Sequence, residues 1–231
     1  MNLKILSLVI IGVCILLPDV CYAFLSKDVH LLNMQNGLAD NTVSAVYKDK
    51  EGFVWFGTRN GLSRYDGRRI TNFERSRSYP SISNLKEVFD GVLAFVDNGV
   101  FSAFDLKKER FLSVVSSSGQ GIPSRGMLQR NDSLVWVISG SELHLMKRCA
   151  SKEGELRLRV QEKYTGWNNQ DNLLVAITYS SDKKSICLID EKGRIILLDA
   201  TNLNSFRVID LGRIGSLSVN SVLYDDGRIW I

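Results

Sequence analysis

Histidine is almost missing from this chain: His30 and His144 are the two among 231 residues. Neither stands at a zinc-ligand spacing from another histidine or a cysteine, so no metal ligand set can be assembled. Cysteine is scarce as well. Of four, Cys14 and Cys21 fall in an apolar N-terminal segment, which leaves Cys149 and Cys187. No Gly-x-Ser-x-Gly elbow accompanies a histidine, and no acid–base constellation is visible. Gly119-Gln120-Gly121 starts like a phosphate loop but lacks the next glycine; it reads as a flexible connection after Ser116-Ser117-Ser118. Asp49 with Glu51, and Asp225 with Asp226, read as turn residues rather than catalytic acids. His144, within Glu142 to Leu145, has the setting of a surface ring on an alternating strand. No cofactor is implied. Helical periodicity is weak after residue 24, and no second apolar run of membrane length follows the first.

The first run is short. Lys4 precedes Ile5 to Leu17, which is interrupted only by Ser7, Gly12 and Cys14. Cys21 and Ala23 then place small residues where a signal peptidase reads them. Residues 1–23 are therefore expected to be a cleaved signal peptide, which implies a periplasmic protein. Val20 sits where lipidation of Cys21 would want a small residue, so a lipoprotein is the lesser reading. The remaining chain is long enough for one domain with a substantial core. Export permits a disulfide between Cys149 and Cys187, but two separate semi-buried thiols are the preferred reading.

What is abundant is antiparallel strand pattern. Thr42 to Lys48 alternates Val43, Ala45 and Tyr47 against Ser44, Val46 and Lys48. Asp49-Lys50-Glu51-Gly52 is a polar turn with a glycine for positive φ. Phe53 to Gly57 is an aromatic strand, and Arg59-Asn60-Gly61 carries the strongest short hairpin signal. Leu62 to Tyr65, Asp66-Gly67 and Arg69 to Phe73 complete four strands. Val219 to Ile231 repeats the start of this unit in register with Asn41 to Phe56. Weaker copies centre near residues 95, 136 and 187, beside Asp97-Asn98-Gly99, Ser139-Gly140 and Glu191-Lys192-Gly193. A period of roughly 40 to 50 residues is that of propeller blades.

The expected fold is all-β: an incomplete β-propeller of four-stranded antiparallel blades, about four and a half repeats. The repeats are placed near 37–80, 81–120, 121–165, 166–212 and 213–231, the last cut short.

Three phrases carry a resemblance: Gly37-Leu38-x-x-Asn-x-Val, Asp49-x-x-Gly52-Phe-x-Trp-x-Gly-Thr, and Gly61-Leu62-x-x-Tyr65-Asp66-Gly67. Together they resemble the first repeat of the two-component regulator propeller family. Such repeats build the periplasmic sensor half of hybrid two-component histidine kinases. The resemblance implies a sensor of an oligosaccharide, part of a dimeric receptor that relays binding to a kinase. It also implies that Phe24 to Met34 is the strand that closes the ring. Neither histidine has phosphoacceptor surroundings and no ATP-binding motif occurs, so the kinase is expected elsewhere. The end at Trp230-Ile231, inside a strand, suggests an N-terminal piece of a longer sensor. The other readings are a protein–protein platform and, less favoured, a propeller lyase or hydrolase.

Charge adds one local hypothesis. Arg59, Arg64, Arg68, Arg69, Arg75 and Arg77 stand against Asp66 and Glu74, which concentrates the net charge of +4 in the first repeat. Arginine binds carboxylate and sulfate bidentately, which suits an anionic saccharide. Arg59, Arg64, Tyr65, Arg68 and Trp167 are the candidate ligand residues, with Trp55 as a further stacking surface. Nucleic acid is not expected, because export and the short reach of the basic stretch argue against it.

Overall fold

The computed structural model describes residues 31–74, 82–167, 172–210, 223–225 and 228–230. The expected signal peptide, Arg75, Arg77 and Asp226 lie outside the described residues, as does most of the expected closing strand. The end of that strand segment is not extended. Leu31 to Asn33 carries no strand, and Met34–Asn36 forms a 3-10 turn. The backbone there is satisfied locally: Gly37 N–H donates to the Met34 carbonyl at 3.1 Å.

Residues 34–231 are one compact unit built from antiparallel meanders. The first blade is β1 (Val43–Lys48), β2 (Val54–Thr58), β3 (Gly61–Tyr65) and β4 (Ile70–Glu74). The second is β5 (Ile82–Phe89), β6 (Val92–Asp97), β7 (Val100–Asp105) and β8 (Arg110–Ser116). The third comprises β9 (Gly126–Asn131), β10 (Leu134–Ser139), β11 (Glu142–Cys149) and β12 (Glu155–Tyr164). The fourth comprises β13 (Leu174–Tyr179), β14 (Ser185–Asp190), β15 (Ile195–Asp199) and β16 (Phe206–Ile209). A pair, β17 (Leu223–Asp225) and β18 (Arg228–Trp230), begins a fifth. The chain is an all-β propeller.

The middle strands of the second, third and fourth blades are apolar on both faces because each of these blades is covered on both sides. Along β14, Ile186 and Leu188 pack toward the third blade, while Cys187 and Ile189 pack toward the fifth. Each core cluster is thus a seam between neighbours. Trp55 and Leu62 meet Ile82, Leu85, Leu93 and Phe95 in the first seam. Val92, Ala94 and Val96 meet Met127, Val135 and Val137 in the second. Glycine makes one close approach possible: a Cβ on Gly57 would lie 2.5 Å from Cγ2 of Ile82.

Turn chemistry repeats as well. Asp66, just after β3, and Asp105 and Asp199, which end β7 and β15, each accept two backbone N–H bonds from the following turn. The two Asn-Gly turns differ. Asn98 and Gly99 both have positive φ, 49° and 78°, as a type I′ hairpin requires. In the β2–β3 turn of the first blade only Gly61 has positive φ, at 118°, and it already pairs with Thr58, so Arg59 and Asn60 make the turn. A Cβ at Gly61 would meet the Phe73 carbonyl oxygen at 2.4 Å.

The second and third blades are joined at their outer strands. β8 and β12 pair in parallel, from Ser113 with Glu155 to Ser116 with Leu158. Gly119-Gln120-Gly121, expected to be a flexible link, is a closed turn: Ser116 N–H donates to the Gln120 carbonyl at 2.7 Å and Gly119 N–H to the Ser116 carbonyl at 2.9 Å.

Candidate functional site

The first seam opens into a crevice of about 510 Å³ where the β1–β2 turn of the first blade faces the β5–β6 and β7–β8 turns of the second. Asp49, Lys50, Glu51 and Phe53 come from the first blade's turn, with Trp55 and Arg64 behind them. Glu87, Asp90, Gly91, Leu106, Lys107 and Glu109 form the opposite wall.

Asp49 organises the near wall. It is 9% exposed, and its Oδ1 accepts from the Glu51 and Phe53 backbone N–H groups at 3.0 and 2.9 Å. Its Oδ2 accepts from the Trp55 indole N–H at 2.8 Å, which ties the turn to the ring buried in the seam. Arg64 lies over the Phe53 ring at 4.9 Å and within 5.6 Å of the Trp55 and Phe73 rings. Cation–π attraction holds it there.

The two walls are bridged by ion pairs. Arg64 meets Glu109 at 2.6 Å, and Lys50 meets Glu87 at 3.2 Å. Within the far wall, Lys107 meets Asp90 at 3.1 Å. The Glu87 hydrogen bond raises the Lys50 ammonium above its ordinary value, and the Lys107 hydrogen bond lowers the Asp90 carboxyl. The lining holds donors, acceptors and apolar ring surface, which is equipment for non-covalent recognition.

The sequence-derived candidates are spread out. Arg64 and the stacking candidate Trp55 line the crevice. Arg68 is exposed in the β3–β4 turn, beside Tyr65, whose hydroxyl donates to the Gly67 carbonyl at 2.8 Å. Arg59 is exposed in the β2–β3 turn, which an antiparallel meander places at the opposite end of the blade. Trp167 lies on the connection from β12 to β13. It is 6% exposed, packed in the seam between the third and fourth blades and edge-on to Phe206.

His144 corrects the expectation of a surface ring. It is buried, with Nε2 2.6 Å from Glu142 Oε2, because β11 is covered on both faces. That hydrogen bond holds the Glu142 carboxyl below its ordinary value. Cys149 and Cys187 are unpaired thiols, and burial pushes Cys187 up to about 12. Among the described residues, no group of three or more His, Cys, Asp or Glu side chains is placed to hold a metal. Among them too, no helix is long and apolar enough to cross a membrane.

Sequence reading missed Asp49 as an anchor and missed Glu87 and Glu109 altogether. The Asp-x-x-Gly-Phe-x-Trp spacing did contain the first signal, since strand geometry brings the indole back over the turn.

Residues 37–60 match the two component regulator propeller family. This segment, with its Asp49 turn and Trp55 strand, is a regulator-propeller repeat. Solved propellers share the wider fold. The extracellular domain of a hybrid two component system from B. thetaiotaomicron is 17% identical with a TM-score of 0.60, over 79% of this chain and 24% of that one. The extracellular domain of a one component system from the same organism is 16% identical with a TM-score of 0.62, over 86% and 30%. PorZ, a surface component of the type-IX secretion system of Porphyromonas gingivalis, is 12% identical with a TM-score of 0.60, over 85% and 25%. This chain thus spans less than a third of each of these proteins. No curated protein sequence matches it.

Proposed function

We propose that this chain is the ligand-sensing propeller of an exported two-component sensor, recognising an oligosaccharide and relaying its binding to a kinase outside this chain. The observation that carries this reading is the regulator-propeller repeat at residues 37–60, set in blades that share their fold with the extracellular domains of a hybrid two component and a one component system. The apolar, charged and hydrogen-bonding groups around Asp49 and Arg64 support recognition rather than turnover. Residues 1–23 act as the signal peptide, and the receptor works as a dimer in the periplasm. Arg59 and Arg68, exposed at opposite ends of the first blade, are each available to a separate acidic group on a saccharide.

The test is calorimetric titration of the purified exported chain with oligosaccharides, paired with fractionation of expressing cells. Saturable binding and recovery of a processed periplasmic protein are expected. Retention of residues 1–23 in the cytoplasm, or no heat with any oligosaccharide, would sink the reading.

A second reading is a protein–protein platform, as PorZ is a surface component of a secretion system. Exposed Phe206 and Val208 on β16, an outer strand of the fourth blade, favour it. Light scattering that shows self-association lost in Phe206→Ser would raise this alternative above the first.

A further inference from the structure

We propose that the crevice between the first two blades binds a neutral, hydroxyl-rich ligand of di- or trisaccharide size, and that it disfavours anions. The proposal deepens the oligosaccharide reading above and rests on it. Its volume of about 510 Å³ lies within the ~300–1,000 Å³ of small-molecule sites.

The charge in the lining decides the ligand class. Five carboxylates face three cationic side chains, so the walls are acidic overall. Each cation is already matched: Lys50 with Glu87, Lys107 with Asp90, Arg64 with Glu109. An anion would find no spare positive charge and would have to displace a carboxylate first. The positive excess of the first repeat therefore does not reach this cavity.

The same ion pairs suit hydroxyl groups. Each carboxylate has lone pairs left over, and each ammonium has N–H bonds left over. A hydroxyl donates and accepts at once, so it can bridge a Lys–Asp pair without breaking it. Phe53 and Leu106 add apolar surface for the C–H face of a sugar ring.

The rim residues offer clean variants, since Asp90 and Lys107 side chains are 74% and 75% exposed and neither holds the core. The full chain would be screened on an array of neutral, uronic-acid-bearing and sulfated oligosaccharides, and the best binder titrated by calorimetry. Neutral glycans are expected to be retained. Asp90→Asn and Lys107→Met are each expected to weaken binding about tenfold or more, as for one lost charge-assisted hydrogen bond. Lys192→Ala, exposed in the β14–β15 turn of the fourth blade, is expected to leave it unchanged. Preference for anionic glycans, or rim variants that bind like the parent, would overturn the crevice assignment while leaving oligosaccharide sensing intact. An array with no retained glycan would overturn both.

Discussion

The indole N–H of Trp55 donates to the Asp49 carboxylate over 2.8 Å, and this bond fastens a surface turn to a core ring. The same carboxylate accepts two backbone N–H groups, so three donors depend on one buried anion. Asp49→Ala would strand all three. A loss of about 2–3 kcal/mol in urea unfolding is expected, chiefly from leaving the buried Trp55 N–H without its acceptor. Asp49→Asn keeps the side-chain carbonyl and should lose less. Equal stability of the parent and Asp49→Ala would show that the clamp contributes nothing.

Gly57 tests the seam itself. Its missing side chain admits Ile82, whose Cγ2 occupies the place a Cβ would take. Gly57→Ala is expected to cost about 1–3 kcal/mol through overpacking. Ile82→Ala in the same chain should recover part of that loss, because it removes the clashing atom. A double-mutant cycle reads the coupling. Strict additivity of the two changes would refute the contact.

Much of the fold was legible because strand alternation and turn residues are local signals. Asp66-Gly67 and Asn98-Gly99 mark reversals that the structure contains, since their backbone needs are set within four residues. Asn60-Gly61 misled in detail: only Gly61 needs positive φ, so the pairing is shifted from a two-residue Asn-Gly hairpin. The crevice was mostly illegible. Arg64 stood out by charge, but its partner Glu109 lies 45 residues away and the pairing depends on how two blades pack. His144 looked exposed because alternation alone does not say that both faces of β11 are covered.

Acid should loosen this protein from its carboxylates. Glu142 is held below its ordinary 4.5 first by the His144 hydrogen bond, while Asp66, Asp182 and Asp199 are held below 3.8 by hydrogen bonds in their turns. A carboxyl with a folded value below its unfolded one adds stability above the unfolded value. That stability is lost as pH falls through the folded value. Urea midpoints are expected to be insensitive to these groups between pH 7 and 5.5 and to drop once pH passes below about 4.5. Glu142→Gln should shallow the acid-side drop. A midpoint unchanged down to pH 3 would show that these bonds carry no linkage.

The parallel pairing of β8 with β12 makes a prediction about cooperativity. A blade's outer strand is ordinarily an edge, open to solvent and early to unfold. Here Ser113 to Ser116 and Glu155 to Leu158 lie inside an eight-stranded sheet, with Leu156 and Leu158 at 1% and 0% exposure. β16 contrasts with them, carrying Phe206 and Val208 at 40% and 39% exposure on an outer strand. Amides of β8 and the first half of β12 should therefore exchange together, at the pace of β7 and β11. Those of β16 should exchange at least about tenfold faster. Leu158→Ala is expected to cost about 2–5 kcal/mol by opening a cavity in the shared seam. Because that seam spans both blades, its amide exchange should quicken in β6 and β7 as well as β10 and β11. Faster exchange confined to the third blade would mean that the two blades open independently and that the parallel pairing does not couple them.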